Sequence, residues 1–403
     1  MKQMKQQKIL DWQTKKLGEV CEIGAGNSAP QKKDLFAGGK YPFFRTSDVG
    51  RIRFGVIDDS TDKLNETGIK KLHLYKKGTL LFPKSGASTF LNHRVLMATD
   101  GYVSSHLATL KAKDNILDDR FLLYFSSTID SRNLMQDQNY PSLRLSDIKE
   151  IDILQPPLSE QQRIVAILDE AFAAIGTAKE NAERNLQNAR ELFESYLQSV
   201  FANTGDGWEE KRLGEVIQKT ETIDPTKNPN KEFIYLDVSS VNKENLTIEN
   251  TSLIIGKDAP SRARKLIRTD DVIFATVRPT LRRIAIIPEE FNKQVCSTGY
   301  FVLRTKEPLN NKLVFYFLQT DGFNEKMEKL QKGASYPAVT DGEVMSQIIP
   351  YPKSLTEQKS IVSKLDALSL ETKKLEAIYQ QKLADLDELK KSVLQKAFNG
   401  GLA

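Results

Sequence analysis

Apolar side chains fall into a three-and-four rhythm twice in this chain. From Ser159 to Phe201 the apolar or small positions run Ile164, Leu168, Phe172, Ile175, Ala178, Ala182, Leu186, Ala189, Phe193, Tyr196 and Val200. That spacing lays them along one face of a helix. The second run is Ile361, Leu365, Leu368, Leu375, Tyr379, Leu386, Leu389, Val393 and Ala397. Neither stretch contains an interior proline, so each predicts one uninterrupted helix. Pro156-Pro157 ahead of Ser159-x-x-Gln162 reads as a capping box, Thr356 is placed to cap the second helix, and Gly205 and Gly400-Gly401 mark the ends.

A helix of about 43 residues is roughly 65 Å long, too long to bury its whole apolar stripe against one compact domain. It needs a partner of equal length, and the second run is the candidate. Two separate helices, each lying on its own domain, would leave much of each stripe in water. The chain travels out along the first helix and returns along the second with few residues to spare, so the pair is expected to be an antiparallel coiled coil.

The two runs belong to a larger duplication. Trp12 to Val20 (WQTKKLGEV) returns as Trp208 to Val216 (WEEKRLGEV), and Leu158-Ser159-Glu160-Gln161 returns as Leu355-Thr356-Glu357-Gln358. Along the helices the offset holds at 197 residues, with Ile164, Leu168 and Asp169 answered by Ile361, Leu365 and Asp366. Between these anchors agreement is loose: Phe121 to Phe125 (FLLYF) stands opposite Leu313 to Phe317 (LVFYF), and Tyr140-Pro141 opposite Tyr336-Pro337. Each half therefore joins a variable globular head to a constant helix. The expected boundaries are a first head at 1–157, a first helix at 158–203, a second head at 204–354 and a second helix at 355–403.

Composition narrows the function classes. With 39% apolar and 28% charged residues among 403, the chain suits a multidomain protein with ordinary cores. Its basic start, MKQMKQQKIL, leads into Asp11, and no apolar run reaches the length of a signal segment or membrane span, so a cytoplasmic location without membrane association is expected. Cys21 and Cys296 stand alone, and His73, His93 and His106 have no ligand spacing. Buried reduced thiols and no metal are therefore expected. The net charge of +5 says little, but its distribution says more: residues 1–157 hold 24 basic against 18 acidic side chains, whereas 204–352 hold 21 of each.

Two related heads on a stiff spacer suit an extended, repetitive ligand. Half-sites on one side of B-DNA recur about every 34 Å, so a rod of this scale could set the heads one turn apart or somewhat more. In the second head Arg262, Arg264, Lys265 and Arg268 precede a strand-like Val272-Ile273-Phe274, and Arg278, Arg282 and Arg283 follow it. Arginine grips phosphate or reaches guanine O6 and N7 bidentately, although such a run is also what a solvated charged hairpin looks like. The matching stretch of the first head, FPKSGASTFLNHR, offers Lys84, Ser85, Ser88 and Arg94 around Gly86. Arg45 and Ser47 in FFRTSD, Asn139, Tyr140 and Arg144 in NYPSLR, and Tyr336, which answers Tyr140, complete the candidate DNA-binding set. No amino-methyltransferase tetrapeptide, phosphate loop or Ser/His/Asp set is present, and Gly24-Ala25-Gly26 is a bare GxG in a loop-like stretch. No catalytic residue is assigned.

These motifs resemble the specificity subunits of Type I restriction-modification systems. The likeness rests on W-x-x-K-[KR]-L-G-E-V opening each half, PPLSEQQRIVAILD and LTEQKSIVSKLD opening each helix, and LQKAFNGGL closing the chain. It implies an α+β protein: two α/β target-recognition domains, separated by an antiparallel coiled coil of two long helices, in a pseudo-twofold internal repeat. Each domain would read half of a bipartite double-stranded DNA target. Two methyltransferase subunits, which carry S-adenosylmethionine, would dock on the helices, and restriction subunits would join to cleave. Ile164, Val165, Ile167 and Leu168 are apolar on more than one helical face, as are Leu192 and Phe193. Val165, Ile167, Leu192 and Val362 are therefore expected to bind partner subunits, with aspartate at Val165 and Val362 impairing assembly but not the fold. A protein-only adaptor and an enzyme acting on DNA are the competing readings; the arginine-flanked strand speaks against the first, the missing motifs against the second.

Overall fold

A computed structural model describes residues 12–135, 137 and 141–402. The described chain divides into two compact units, one holding residues up to 182 with 382–403, the other Glu183–Gln381. Each unit contains one head, half of one long helix and the complementary half of the other.

In the first head the central strand Thr79–Pro83 is apolar on both faces and buried throughout, as a strand covered on both sides must be. It lies in a five-stranded sheet between Leu107–Ala112 and Arg94–Met97, with Cys21–Ala25 and Phe54–Ile57 at the edges. A smaller sheet sets Tyr41–Phe44 between Asp62–Leu64 and Tyr102–Val103. The helix Asp119–Ser126 buries Phe121, Leu122 and Phe125 in the same core. The second head repeats the plan with two four-stranded sheets. One runs Ile217–Gln218, Tyr300–Thr305, Val272–Ala275, Ile284–Ile286; the other runs Ser252–Ile255, Glu232–Leu236, Val295–Ser297, Ala263–Leu266.

The duplicated W-x-x-K-x-L-G-E-V motif closes each head. Gln13–Lys16 pairs antiparallel with Asp152–Gln155, and Trp208–Arg212 with Ile348–Pro352, so the first and last strands of a head meet where its long helix begins. The glycine of the motif lies under the last short helix: a Cβ at Gly18 would come 3.2 Å from Lys149, and one at Gly214 3.2 Å from Met345. Cys21 and Cys296 are buried free thiols, and burial pushes both up to about 12.

The long helices run Leu158–Ala202 and Leu355–Phe398. Within the first unit Arg163 reaches the carbonyl of Leu402 and Lys179 pairs with Asp387; within the second, Arg190 pairs with Glu376, and Leu197 and Val200 cluster with Leu365 and Ile361. In each unit, therefore, the paired segments run antiparallel.

The expected capping box of the first helix and the expected Thr356 cap of the second are not what starts them. Gln162 is exposed, and its neighbour Gln161 is fully buried. The Gln161 amide oxygen accepts the Asp118 N–H at 2.8 Å, and its nitrogen donates to the Ile116 and Pro156 carbonyls at 3.0 and 2.9 Å. Gln358 repeats the arrangement on Asn310, Pro308 and Pro352. Ser354, not Thr356, caps the second helix, accepting the Glu357 N–H. Two turns further on, Asp169 accepts the hydroxyl of Tyr124 at 2.5 Å and Asp366 that of Tyr316 at 2.7 Å. Each helix is thereby tied to its head by one buried amide and one carboxylate. Replacing Gln161 or Gln358 with leucine should cost at least about 2 kcal/mol, because three backbone groups lose their buried partner. Urea unfolding measures this, and a change below about 0.5 kcal/mol would refute the latch.

Candidate nucleic-acid interface

In both heads the core strand runs into the same kind of turn. After Thr79–Pro83 the chain passes Lys84, Ser85 and Gly86, makes a 3-10 turn at Ala87–Leu91, and crosses Asn92 with φ 53° before Arg94–Met97. After Val272–Ala275 it passes Thr276, Val277 and Arg278, turns at Pro279–Leu281, and crosses Arg282 with φ 52° before Ile284–Ile286. Backbone bonds with Pro141 and Leu143 latch the first turn, and bonds with Pro337 and Val339 latch the second. Gly86 donates to the Pro141 carbonyl at 3.0 Å and Leu143 to that of Lys84 at 2.8 Å. Arg278 donates to Pro337 at 2.7 Å and Val339 to Thr276 at 2.9 Å.

Scaffolding is thus shared, but the displayed side chains differ. The first turn offers Lys84, Ser85 and Ser88, with the Ser85 hydroxyl 2.7 Å from His106 Nδ1. At the matched tip of the second, Gly86 (φ 79°) is replaced by Arg278 (φ 51°). An arginine in the left-handed region carries a steric penalty that glycine avoids. Its guanidinium sits 5.1 Å over the ring of Tyr336, which is 72% exposed, and donates to the Ser335 carbonyl at 3.3 Å. Stacking and the carbonyl hold the cation in place, and its remaining donors have no partner among the described residues.

Most of the other predicted basic residues serve the head itself. Arg264 pairs with Asp224 and Lys265 with Asp341, both at 2.8 Å. Arg268 meets Glu221 at 2.5 Å, Arg282 meets Asp321 at 2.8 Å, and Arg283 donates to the Val238 carbonyl. Of the seven, Arg262 and Arg278 are exposed without an ion pair among the described residues. Arg45 bonds Asp62 at 2.5 Å and lies over Phe36 and Phe43, while Ser47 is exposed in the first turn of the helix Thr46–Ile52. Arg144 is exposed two residues beyond Ser142, which bridges to Ser85. Asn139 and Tyr140 lie outside the described residues.

Arg94 is a correction. It is completely buried, 3.3 Å from the ring centroid of Phe82, and donates to the His93 and Ile129 carbonyls and the Ser131 hydroxyl. Burial pulls its guanidinium down to about 9. It stitches a core strand to the 129–131 segment and is out of reach of any ligand. The partner-binding set also needs correcting. Val165 and Val362 are 7% and 6% exposed and belong to the cores of their own heads, so aspartate there attacks the fold. Ile167 is half-buried, and Leu192 is 53% exposed, matched in the other copy by Leu389 at 48%. The GxG is no loop: Gly24 and Ala25 lie in a strand, and a Cβ at Gly26 would come 2.3 Å from the Ser104 carbonyl. Ser85–His106 and the positive φ of Arg278 were missed, since only the folded turn reveals them.

Among the described residues no group of three or more His, Cys, Asp or Glu is placed to hold a metal ion, and no helix is long and apolar enough to cross a membrane.

Two heads of one plan, each presenting a latched turn and each bound to a long helix, define a class, and comparison with known proteins agrees. The Type I restriction modification DNA specificity domain matches residues 9–184 and 205–383, and the chain belongs to that family. It is 22% identical over 387 residues to the MjaIX specificity subunit of a Type I restriction enzyme from Methanocaldococcus jannaschii, covering 87% of this chain and 85% of that one. The fold is that of the HsdS subunit from Thermoanaerobacter tengcongensis, with TM-score 0.62, 20% identity and 97% of each chain covered. A chain from a structure described as bearing on complex assembly and conformational transition of the type I R-M system gives TM-score 0.74 at 20% identity, over 96% of this chain and 97% of that one.

Arg94→Ala should destabilise the first head by about 3 kcal/mol through the cavity and the unpaired groups it leaves. Arg278→Gly should change stability by less than about 1 kcal/mol, relief of the strained backbone offsetting the lost stacking. Denaturant midpoints of the two variants decide both, and a comparable loss in each would mean that Arg278 also serves the fold.

Proposed function

We propose that this chain is the non-catalytic, sequence-reading subunit of a Type I restriction-modification complex. It reads a bipartite double-stranded DNA target in the cytoplasm, one half-site per head, with an unread gap set by the length of the paired helices. It also serves as scaffold for methyltransferase subunits, which carry S-adenosylmethionine, and for restriction subunits. The observation that carries this reading is the latched turn: one scaffold, built twice, presents Lys84, Ser85 and His106 in one head and Arg278 with Tyr336 in the other. Such an arrangement suits two different half-sites read by one architecture. Arg278, exposed and stacked, has the geometry for guanine O6 and N7, and Lys84 the chemistry for a phosphate. The exposed Leu192 and Leu389, repeated on the two helices, suit burial by partner subunits.

The test is to express the chain with its methyltransferase in a host free of other methylation and sequence the methylome. Two short motifs at fixed spacing are expected. Deleting about one heptad from each helix should shorten the spacing and leave both motifs intact. Arg278→Ala should relax one position of one motif by about 1–3 kcal/mol of discrimination, whereas Lys84→Ala should weaken binding evenly across sequences. Methylation without a split motif would overturn the proposal, and an unchanged spacing would remove the ruler.

A further inference from the structure

The two copies of the helix pair carry the same crossing ion pair with its charges exchanged. In the first unit Lys179 of the first long helix bonds Asp387 of the second. In the second unit Arg190 of the first helix bonds Glu376 of the second at 2.9 Å. Lys179 and Glu376 are 197 residues apart, as are Arg190 and Asp387, so all four occupy matched positions of the repeat. Both cations therefore lie on the first helix and both anions on the second. Side-chain size is divided in the same sense at two central positions, while further out the buried Ile175 is matched by the smaller buried Thr372. Ala182 and Ala189 are buried on the first helix, whereas their matched positions on the second hold the half-buried Tyr379 and Leu386.

A duplicated helix has a choice of partner. The first helix can pair with the second of its own chain, or, since both follow one pattern, with the first helix of a second molecule in the same antiparallel register. That homotypic arrangement would set Lys179 against Arg190, and the corresponding pairing of second helices would set Glu376 against Asp387. Like charges at matched positions are repulsive, just as the observed crossings are attractive. Two small residues would also face a helix equally small, and two large ones a helix equally large, so neither homotypic seam fills as the mixed one does.

We propose that the pairing surface of the long helices selects the other helix of the same chain and rejects a second copy of this chain. The exchanged charges and the small-against-large division act together as a partner code. Two halves of common origin thereby stay in one self-closed molecule with one head of each kind. This inference does not depend on what the heads bind.

The test uses full-length chains. Lys179→Glu with Glu376→Lys keeps the net charge and inverts the code: both intrachain crossings become like-charged and both homotypic crossings opposite. Arg190→Glu with Asp387→Lys makes the same inversion at the other matched pair. Reversing all four positions restores it. By light scattering and sedimentation, the wild type and the fourfold reversal should be monomeric. Each double exchange should dimerise with an affinity raised on the order of a hundredfold, since eight contacts per two chains change sign at about a factor of two each. Added salt should erase the difference. A dimeric wild type, double exchanges that stay monomeric with helix content intact, or a fourfold reversal that dimerises overturns the proposal. Unfolding of both exchanges would overturn it too, because the ion pairs would then be holding the fold and not choosing the partner.

Discussion

A buried side-chain amide is a demanding joint, because its oxygen and its nitrogen must each find a partner in a fixed direction. Gln161 and Gln358 are such joints, each closed by one backbone N–H and two carbonyls. The groups they satisfy come from the segment before the helix of the head and from the residue that ends the closing strand. Without the amide those groups would be unpaired and the first turn of the long helix would be free to swing. With it, the helix leaves the head in one direction, and Asp169 or Asp366 fixes that direction a second time through Tyr124 or Tyr316. Burial and the nearby carboxylate push both tyrosine hydroxyls up, keeping them neutral donors. The repeated helices, the heads they carry and the antiparallel pairing within each unit all build on this joint.

Local and periodic features were legible in the sequence. Both long helices appear where the stripe puts them, Leu158–Ala202 against an expected 158–203 and Leu355–Phe398 against 355–403, because three-and-four steps over forty residues have no other regular solution. The antiparallel direction followed from connectivity. What escaped depends on residues that meet only after folding. Capping grammar points to Gln162, yet the neighbour that faces the head does the work, and only the packed head says which way the first turn faces. The acidic partners of Arg264, Lys265, Arg268 and Arg282 lie 39 to 76 residues away in sequence. Seven basic residues around one strand therefore read as a surface patch when most of them are internal ties. Arg94 misled for the same reason: its enclosure is made by Phe82 and by carbonyl and hydroxyl groups 35 and 37 residues further on.

The latched turns show how such a fold can vary its surface without losing its core. The hydrogen bonds that hold each turn, from Gly86 to Pro141 and from Arg278 to Pro337, use backbone atoms alone, so side chains at the tip change freely. The core strands behind them, Thr79–Pro83 and Val272–Ala275, are buried along their length and do not. Each tip has two left-handed positions: the first is Gly86 in one copy and Arg278 in the other, the second Asn92 and Arg282. A strained arginine persists there because the surrounding bonds over-determine its conformation, and residues of this kind gather at functional sites.

Charge pairing inside the second head bears directly on how it would hold a polyanion. Residues 204–352 hold 21 basic and 21 acidic side chains, and ion pairs such as Arg304 with Asp271 and Glu221 lock some of them internally. Cations held in this way are not free to displace counterions from a duplex, and the sequence-independent part of affinity scales with the number that are. Under the proposed function, a head with balanced charge would hold its half-site less tightly than a strongly basic one. Two heads on one chain raise the effective concentration of the second contact once the first is made, and partner subunits would add phosphate contacts of their own. Weak single heads are an advantage under the proposed function: if either bound tightly alone, half-sites would be occupied throughout a genome, and the spacing between the two would carry no information.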